Sequence, residues 1–223
     1  ANGNFTIGFN AIPDNKIPKK DQPVFHYQIT ADVTDEAGET RSANTSVSVA
    51  YQALQLNMEI PEKLHRDSLK TIRLSSTNLA GTHEKTMVNL TIHKLQAPGR
   101  MFRDRLWQQP DTFTMTREEY YRLFPYDVYA DENNPEKWSR GEKVLDITDT
   151  TSPNATLETR NPQLSAGWYV AEAITKDKYG EEVKALQYVH VFDQNFTGPL
   201  LAGTIQTNKS VLEPREKINY GII

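Results

Sequence analysis

Eight residues of one 23-residue stretch recur 142 positions later. Tyr27, Ala31, Asp35, Gly38, Glu39, Ala43, Val47 and Val49 match Tyr169, Ala173, Asp177, Gly180, Glu181, Ala185, Val189 and Val191. Average residue usage gives about one or two such matches. The spacing has a mechanical meaning. Tyr-x-x-x-Ala sets a large and a small side chain on one face of a strand, Asp-x-x-Gly-Glu turns the chain, and Val-x-Val carries the return. The same hairpin is therefore used twice. A slightly larger offset sets Met58-Glu59-Ile60 and Thr71-Ile72-Arg73-Leu74 against Thr204-Ile205 and Lys217-Ile218-Asn219-Tyr220. Residues 1–52 read as the closing half of one unit, 53–195 as a whole unit and 196–223 as the opening strands of a third. A period of this length denotes tandem domains, since solenoid repeats run about 20–50 residues.

Between the repeats the chain is written in short alternating or β-branched runs: Phe5 to Ile12, Val24 to Val33, Thr45 to Tyr51, Leu54 to Ile60, Thr71 to Ser76, Thr86 to Leu95, Lys143 to Ile147, Trp168 to Ile174, Val183 to Phe192 and Ile218 to Ile223. Turn chemistry separates them, as in Asp35-Glu36-Ala37-Gly38, Asn78-Leu79-Ala80-Gly81, Asn161-Pro162 and Asp177-Lys178-Tyr179-Gly180. Helical crossovers, which a parallel α/β sheet requires, are missing. The pattern predicts an all-β chain of tandem antiparallel sandwiches. The last run alternates up to the final residue, so the sequence is expected to be an excerpt of a longer protein.

One segment departs from this, Pro98 to Arg140, rich in aromatics and charge. Thr116 with Glu119 makes a capping box, Met115 and Tyr120 stand at staple positions, and Pro125 stops the run. A helix is predicted from Arg117 to Phe124. Two turns cannot stand alone in water. Tyr120, Leu123, Phe124, Trp107 and Trp138 are therefore expected to clamp the segment, as a partly helical insertion, onto a sheet of the complete unit.

Composition removes several classes of function. With 37% hydrophobic and 24% charged residues the chain is a folded protein, and no apolar run reaches the roughly 18 residues of a membrane span. A net charge of −4 gives no footprint for nucleic acid. The absence of cysteine excludes disulfides, thiolate metal sites, Fe–S clusters and cysteine nucleophiles within these residues. The histidines His26, His65, His83, His93 and His190 fall into no metal-ligand spacing, and no Gly-x-Ser-x-Gly elbow or phosphate-binding loop is present. No cofactor is expected and no catalysis. The nearest approach to a metal site is Asp127, Asp131 and Glu132 with Asn133 and Asn134, followed by Asp146 and Asp149. Their oxygens suit calcium but lack EF-hand order, so a solvated turn is the competing reading. Trp107, Tyr120, Tyr121 and Trp138 form a candidate partner surface that could stack on sugar rings, against the alternative that they bury the insertion's own apolar side. Asn-x-Ser/Thr triplets begin at Asn4, Asn44, Asn89, Asn154, Asn195 and Asn208.

The string Pro23-Val24-Phe25-His26-Tyr27-Gln28-Ile29-Thr30-Ala31-Asp32-Val33-Thr34-Asp35, continued by Gly38-Glu39-Thr40-Arg41 and Ser46-Val47-Ser48-Val49, resembles a segment of large bacterial alpha-2-macroglobulin-like proteins. Ala97-Pro98, Arg103-x-Arg105-x-Trp107, Phe124-Pro125, Tyr129 and Trp138 are similar to the region that follows it there. The resemblance covers nearly the whole chain. It implies macroglobulin-type domains, each a seven-stranded antiparallel sandwich, serving as scaffold in a protein that traps proteases. The thioester motif Cys-x-Glu-Gln of many members is not in this sequence. The resemblance also implies neighbouring macroglobulin domains and target proteases as partners, and a place in the cell envelope, periplasmic or at the surface, often as a lipoprotein.

Two functions of different class follow as expectations. One is the scaffold of a protease trap with no chemistry of its own. The other is a tandem cell-surface sandwich module that grips glycan or protein through its aromatic insertion. The two half-units suggest in addition a strand-exchanged dimer of the excerpt, each half completing its complement on another copy.

Overall fold

The computed structural model describes residues 6, 8–12, 14, 16–100, 102–103, 108–109, 111–153, 156–159, 162–193, 205–207, 213–217 and 220–222. They form an all-β protein of several sheets. The first is the hairpin β1 (Val24–Thr34) and β2 (Thr40–Ala50), antiparallel along its full length from Val24↔Ala50 to Thr34↔Thr40. After a three-residue link the chain enters a two-layer sandwich. One layer is β3 (Leu54–Glu59), β5 (Thr71–Asn78) and β8 (Thr156–Glu158), in the order β3-β5-β8. The other, ordered β4-β10-β9-β6-β7, holds β4 (Lys63–His65), β6 (Met87–Leu95), β7 (Arg140–Thr150), β9 (Gly167–Lys176) and β10 (Glu182–Phe192). A last antiparallel pair, β11 (Ile205–Thr207) with β12 (Tyr220–Ile222), lies beyond it in sequence.

The two layers close on one aliphatic core. Met58, Ile72, Leu74 and Leu157 from the smaller sheet meet Val88, Leu90, Ile92, Tyr169, Ala171, Ala173, Val189 and Val191 from the larger. The contributing positions alternate along each strand, so period-two patterning becomes one dry interface. Each large aliphatic side chain buried there contributes about 1.5–3 kcal/mol of transfer free energy. Tyr169 is buried as well, and its hydroxyl donates to the Ser165 carbonyl at 2.8 Å while accepting from the Ser165 N–H at 3.1 Å. That four-residue reach back along the chain follows the tyrosine corner of sandwich domains.

The structure departs from the sequence-based expectations in three places. β4 runs parallel to β10, with Lys63 opposite His190, so the sandwich is not wholly antiparallel. It has eight strands, five in one layer and three in the other, where seven were expected. The additional short strands β4 and β8 are three residues each, too brief to show a period. Finally, of the run Phe5 to Ile12, the described residues 6 and 8–12 form no strand, and the remainder lies outside the described residues.

The repeated hairpin is the same object twice. Asp35 Oδ1 accepts from the N–H groups of Ala37 and Glu39, each at 2.9 Å. Asp177 Oδ1 accepts from Tyr179 and Glu181, each at 2.9 Å. Gly38 and Gly180 take φ of 85° and 86°, a left-handed conformation that favours glycine. Ala31 faces Ala43 as Ala173 faces Ala185, and Tyr27 faces Val47 as Tyr169 faces Val189. The turn occurs a third time after β5, where Asn78 Oδ1 accepts from Ala80 and Thr82 at 3.0 Å and Gly81 has φ 80°.

Candidate functional site: the aromatic insertion

The insertion is held to the larger sheet at its two ends. Gln96 N–H donates to the Ser139 carbonyl at 2.9 Å, and β7 then begins at Arg140. Between them stands α1 (Arg117–Leu123). Its N-cap Thr116 accepts from the Glu119 N–H at 3.3 Å, and Glu119 accepts from the Thr116 N–H at 3.1 Å, so the predicted capping box is present. Phe124 is the C-cap, its N–H donating to the Tyr120 carbonyl at 2.7 Å. The helix thus ends one residue earlier than expected, before Pro125, which disfavours the helical conformation in the residue preceding it.

The aromatic candidates separate into two groups. Tyr120 and Tyr121 belong to a row on α1 and the loops beside it: Phe113 stacks on Tyr129 at 4.4 Å, Tyr129 meets Tyr120 at 5.4 Å, and Tyr120 meets Phe124 at 5.1 Å. Phe102, buried, lies 6.4 Å from Tyr121, and the Arg100 guanidinium sits over the Tyr121 ring at 4.0 Å. Trp138 belongs elsewhere. Its indole N–H donates to the Glu132 carbonyl at 2.7 Å and its ring stands edge-on to Trp168 of β9 at 6.2 Å. Trp168 in turn stacks on the buried His190 of β10 at 4.9 Å. This Trp138–Trp168–His190 column fastens the insertion to the outer face of the sheet. Trp107, the fourth candidate, lies outside the described residues.

Beside the column is an open cavity of about 350 Å³. Trp168, Leu186 and Tyr188 form its floor, the 3₁₀ turn Pro135–Lys137 contributes Pro135 and Glu136, and Glu62 and Lys63 close the side at β4. Sequence reasoning missed Trp168 and Tyr188 as site residues because both sit inside strand runs, where an aromatic reads as packing. Their even positions on β9 and β10, out of phase with the buried Tyr169 and Val189, were the available signal.

The acidic candidates are used as structural partners. Asp127, buried, accepts a charge-assisted bond from Arg103 Nε. Burial works against ionisation of Glu132, but the N–H groups of Ala130 and of Glu132 itself, the Tyr121 hydroxyl and Arg117 outweigh it and hold the carboxyl below its usual range. Burial first, and then the neighbouring Glu132 carboxylate, raise the Tyr121 phenol. Arg117 approaches Glu132 Oε1 at 3.4 Å. Asp131 is exposed, and its carbonyl accepts from the Asn134 N–H at 2.9 Å. Asp146 pairs with Lys143 and accepts from Asn89 Nδ2 at 2.9 Å, which also ties down one glycosylation triplet. Among the described residues no three His, Asp or Glu side chains gather as a metal-holding group. No described helix is long and apolar enough to cross a membrane.

A Ser–His contact occurs between Ser48 Oγ and His26 Nδ1 at 3.0 Å, on the exposed polar face of β1–β2. The two residues are direct cross-strand partners in the ladder, which accounts for their proximity without a catalytic role. The insertion presents ring faces, the Arg100 guanidinium over Tyr121 and one shallow cavity. A scan of the chain against known protein families finds no match. A search of curated proteins finds none either.

Proposed function

We propose that this chain is a scaffold segment of a bacterial alpha-2-macroglobulin-like, protease-trapping protein of the cell envelope, with no chemistry of its own. The observation that carries the reading is the repeated hairpin. Identical turns at Asp35 and Asp177, 142 residues apart, support the reading of a chain built from serial sandwich units with an insertion in one of them. Such units hold other segments at fixed distances. Neighbouring sandwich domains and captured proteases are the partners this role requires. The experiment uses the protein that carries the segment. After mixing with an endoprotease, a trap leaves cleavage of a small chromogenic peptide intact while cleavage of a large protein substrate falls at least about tenfold, because enclosure blocks access and not chemistry. Equal loss of both activities, or loss of neither, overturns the reading.

A second reading is favoured by one specific observation. Phe113, Met115, Leu123, Phe124 and Tyr126 of the insertion are all exposed large apolar side chains within 14 residues. Concentrated exposure of this kind marks interaction surfaces. As a binding module, the chain would lose affinity for a glycan or protein ligand on Tyr126→Ala without loss of stability, and a glycan and protein array probed with wild type and Y126A tests it. No ligand on either array rejects the module.

A further inference from the structure

We propose that the open edge of β10, from Glu182 to Tyr188, binds an extended peptide segment of a partner protein and seats a basic side chain of that segment in the cavity beside Trp168. The inference rests on neither reading above.

The ladder fixes which backbone groups face that edge. The Asp177 N–H donates to the Glu181 carbonyl at 2.9 Å, so the directly bonded pairs of the β9–β10 hairpin recur at every second residue from there: Val183 with Thr175, Ala185 with Ala173, Gln187 with Ala171 and Val189 with Tyr169. The N–H and C=O groups of the residues between them point the other way. Farther along the strand those groups meet β4: the His190 N–H donates to the Glu62 carbonyl at 2.7 Å, and the Phe192 carbonyl accepts from the Arg66 N–H at 2.9 Å. β4 spans only His190 to Phe192. Among the described residues no strand pairs with Lys184, Leu186 or Tyr188 on that side.

The course of the chain is the reason. β3 precedes β4 but bonds to β5 in the other layer, and the chain crosses to the larger sheet only at Ile60, Pro61 and Glu62. A lane in line with β4 is thus left beside Glu182 to Tyr188, roughly 24 Å long at strand rise. Its outward N–H and C=O groups repeat at roughly 6.8 Å, the two-residue spacing of an extended backbone. Leu186 in its middle is 49% exposed.

The lane calls for a strand, and the cavities beside it call for particular side chains. Successive side chains of an added strand point to opposite faces of the sheet. On the outer face lies the cavity of about 350 Å³ floored by Trp168, Leu186 and Tyr188. Toward the smaller sheet a second opening of about 590 Å³ is lined by Met58, Ile60 and Pro61, where β3 crosses over. Gln187 lines both. Two neighbouring residues of a peptide in the lane therefore have a cavity each. At the outer one, exposed Glu62 and Glu136 set two carboxylates against the single ammonium of Lys63, and neither carboxylate has an ion-pair partner among the described residues. A guanidinium suits this rim, its plane against the rings and its fork toward a carboxylate. The second opening, with Met58, Ile60 and Pro61, suits an aliphatic neighbour. Strand addition of this kind takes affinity from main-chain hydrogen bonds and specificity from the alternate pockets.

The probe is a labelled peptide with blocked ends, Thr-Thr-Val-Arg-Val-Thr-Thr, titrated into the full chain and followed by fluorescence anisotropy. Saturable binding is expected. N-methylation of one alternate set of peptide amides should weaken it at least about tenfold, and methylation of the other set should change it little, because only one set faces β10. Leu186→Pro removes one outward N–H and leaves the bonds to β9 whole, and should cost about fivefold. Glu136→Lys should cost about tenfold with this peptide and nothing with its Arg-to-Gln analogue. In amide exchange followed by NMR, the peptide should slow Lys184, Leu186 and Tyr188 and leave Val183, Ala185 and Gln187 as they were. Four results overturn the proposal. They are no saturation at about millimolar peptide, equal effects of the two methylated sets, slow exchange at Lys184, Leu186 and Tyr188 in the dilute chain alone, which would mean that the chain fills its own lane, and protection there that grows with protein concentration without peptide, which would assign the edge to a second copy.

Discussion

Asp35 and Asp177 are the same residue in the same turn, and their surroundings separate what the turn needs from what the fold needs. Asp35 is exposed and caps only its own turn. Asp177 is buried and reaches out of its turn to the Ala53 N–H, the point at which the sandwich begins. Asp35→Ala should therefore cost about 1 kcal/mol or less, and Asp177→Ala about 3 kcal/mol, since three donors including a tertiary one are left unmet. Urea titration of the two variants measures the difference. Two groups of that hairpin, His190 and Asp177, make stability fall on acidification, in two windows. Burial, with a smaller contribution from Lys63, lowers the His190 imidazole to about 4. Between that value and the unfolded value near 6.5 the unfolded chain binds the extra proton, so stability is complete above about pH 6.5 and declines by roughly 3 kcal/mol down to pH 4. Burial would raise the Asp177 carboxyl, but the N–H groups of Ala53, Glu181, Tyr179 and Gly180 outweigh it and depress it. Its contribution is present above about pH 4 and is lost below. His190→Phe should flatten the upper window and leave the lower one; an unchanged slope between pH 6.5 and 4 would remove His190 as its source.

At the scale of elements, the insertion joins a helix that is stable through its caps to a column that is stable through packing. Thr116→Ala removes the cap and should cost about 1 kcal/mol, felt as faster amide exchange within α1 alone. Trp138→Ala removes the ring that meets Trp168 and should cost about 3 kcal/mol, felt in the unfolding midpoint of the whole sandwich. Trypsin cleavage within residues 111–140 of the wild-type chain at the rate of a free peptide would contradict the docking. The helix was legible because its determinants are local: Thr116, Glu119 and Pro125 act within one turn of the segment they bound. The long strands were legible from alternation, and β1–β2 and β9–β10 from the Asp-x-x-Gly-Glu turn. What escaped is non-local. β4 pairs in parallel with a strand about 127 positions on, and no property of Lys63–His65 encodes that partner. Trp138 was visible as an aromatic, but the Trp168–His190 stack that receives it is assembled from two strands whose alternation announces only their inner face.

For the whole molecule, the two copies of one hairpin set a comparison in which local sequence is nearly held constant and burial is varied. Both have the same turn hydrogen bonds, the same Gly conformation and equivalent registers. A hairpin by itself is marginal in water, because two strands cannot bury an apolar face. β9–β10 is closed in by the β3-β5-β8 layer and by neighbouring β6, whereas among the described residues β1 and β2 pair only with each other. The amides that bond β9 to β10 should therefore exchange only through global unfolding, while those that bond β1 to β2 exchange through local opening at least about a thousandfold faster in dilute solution. The intrinsic strand propensities, being alike, predict no such gap. Hydrogen exchange of both hairpins, read by mass spectrometry on a dilute sample, measures the gap. Equal protection of the two hairpins in the dilute sample would mean that local chemistry, and not the covering layer, determines their stability.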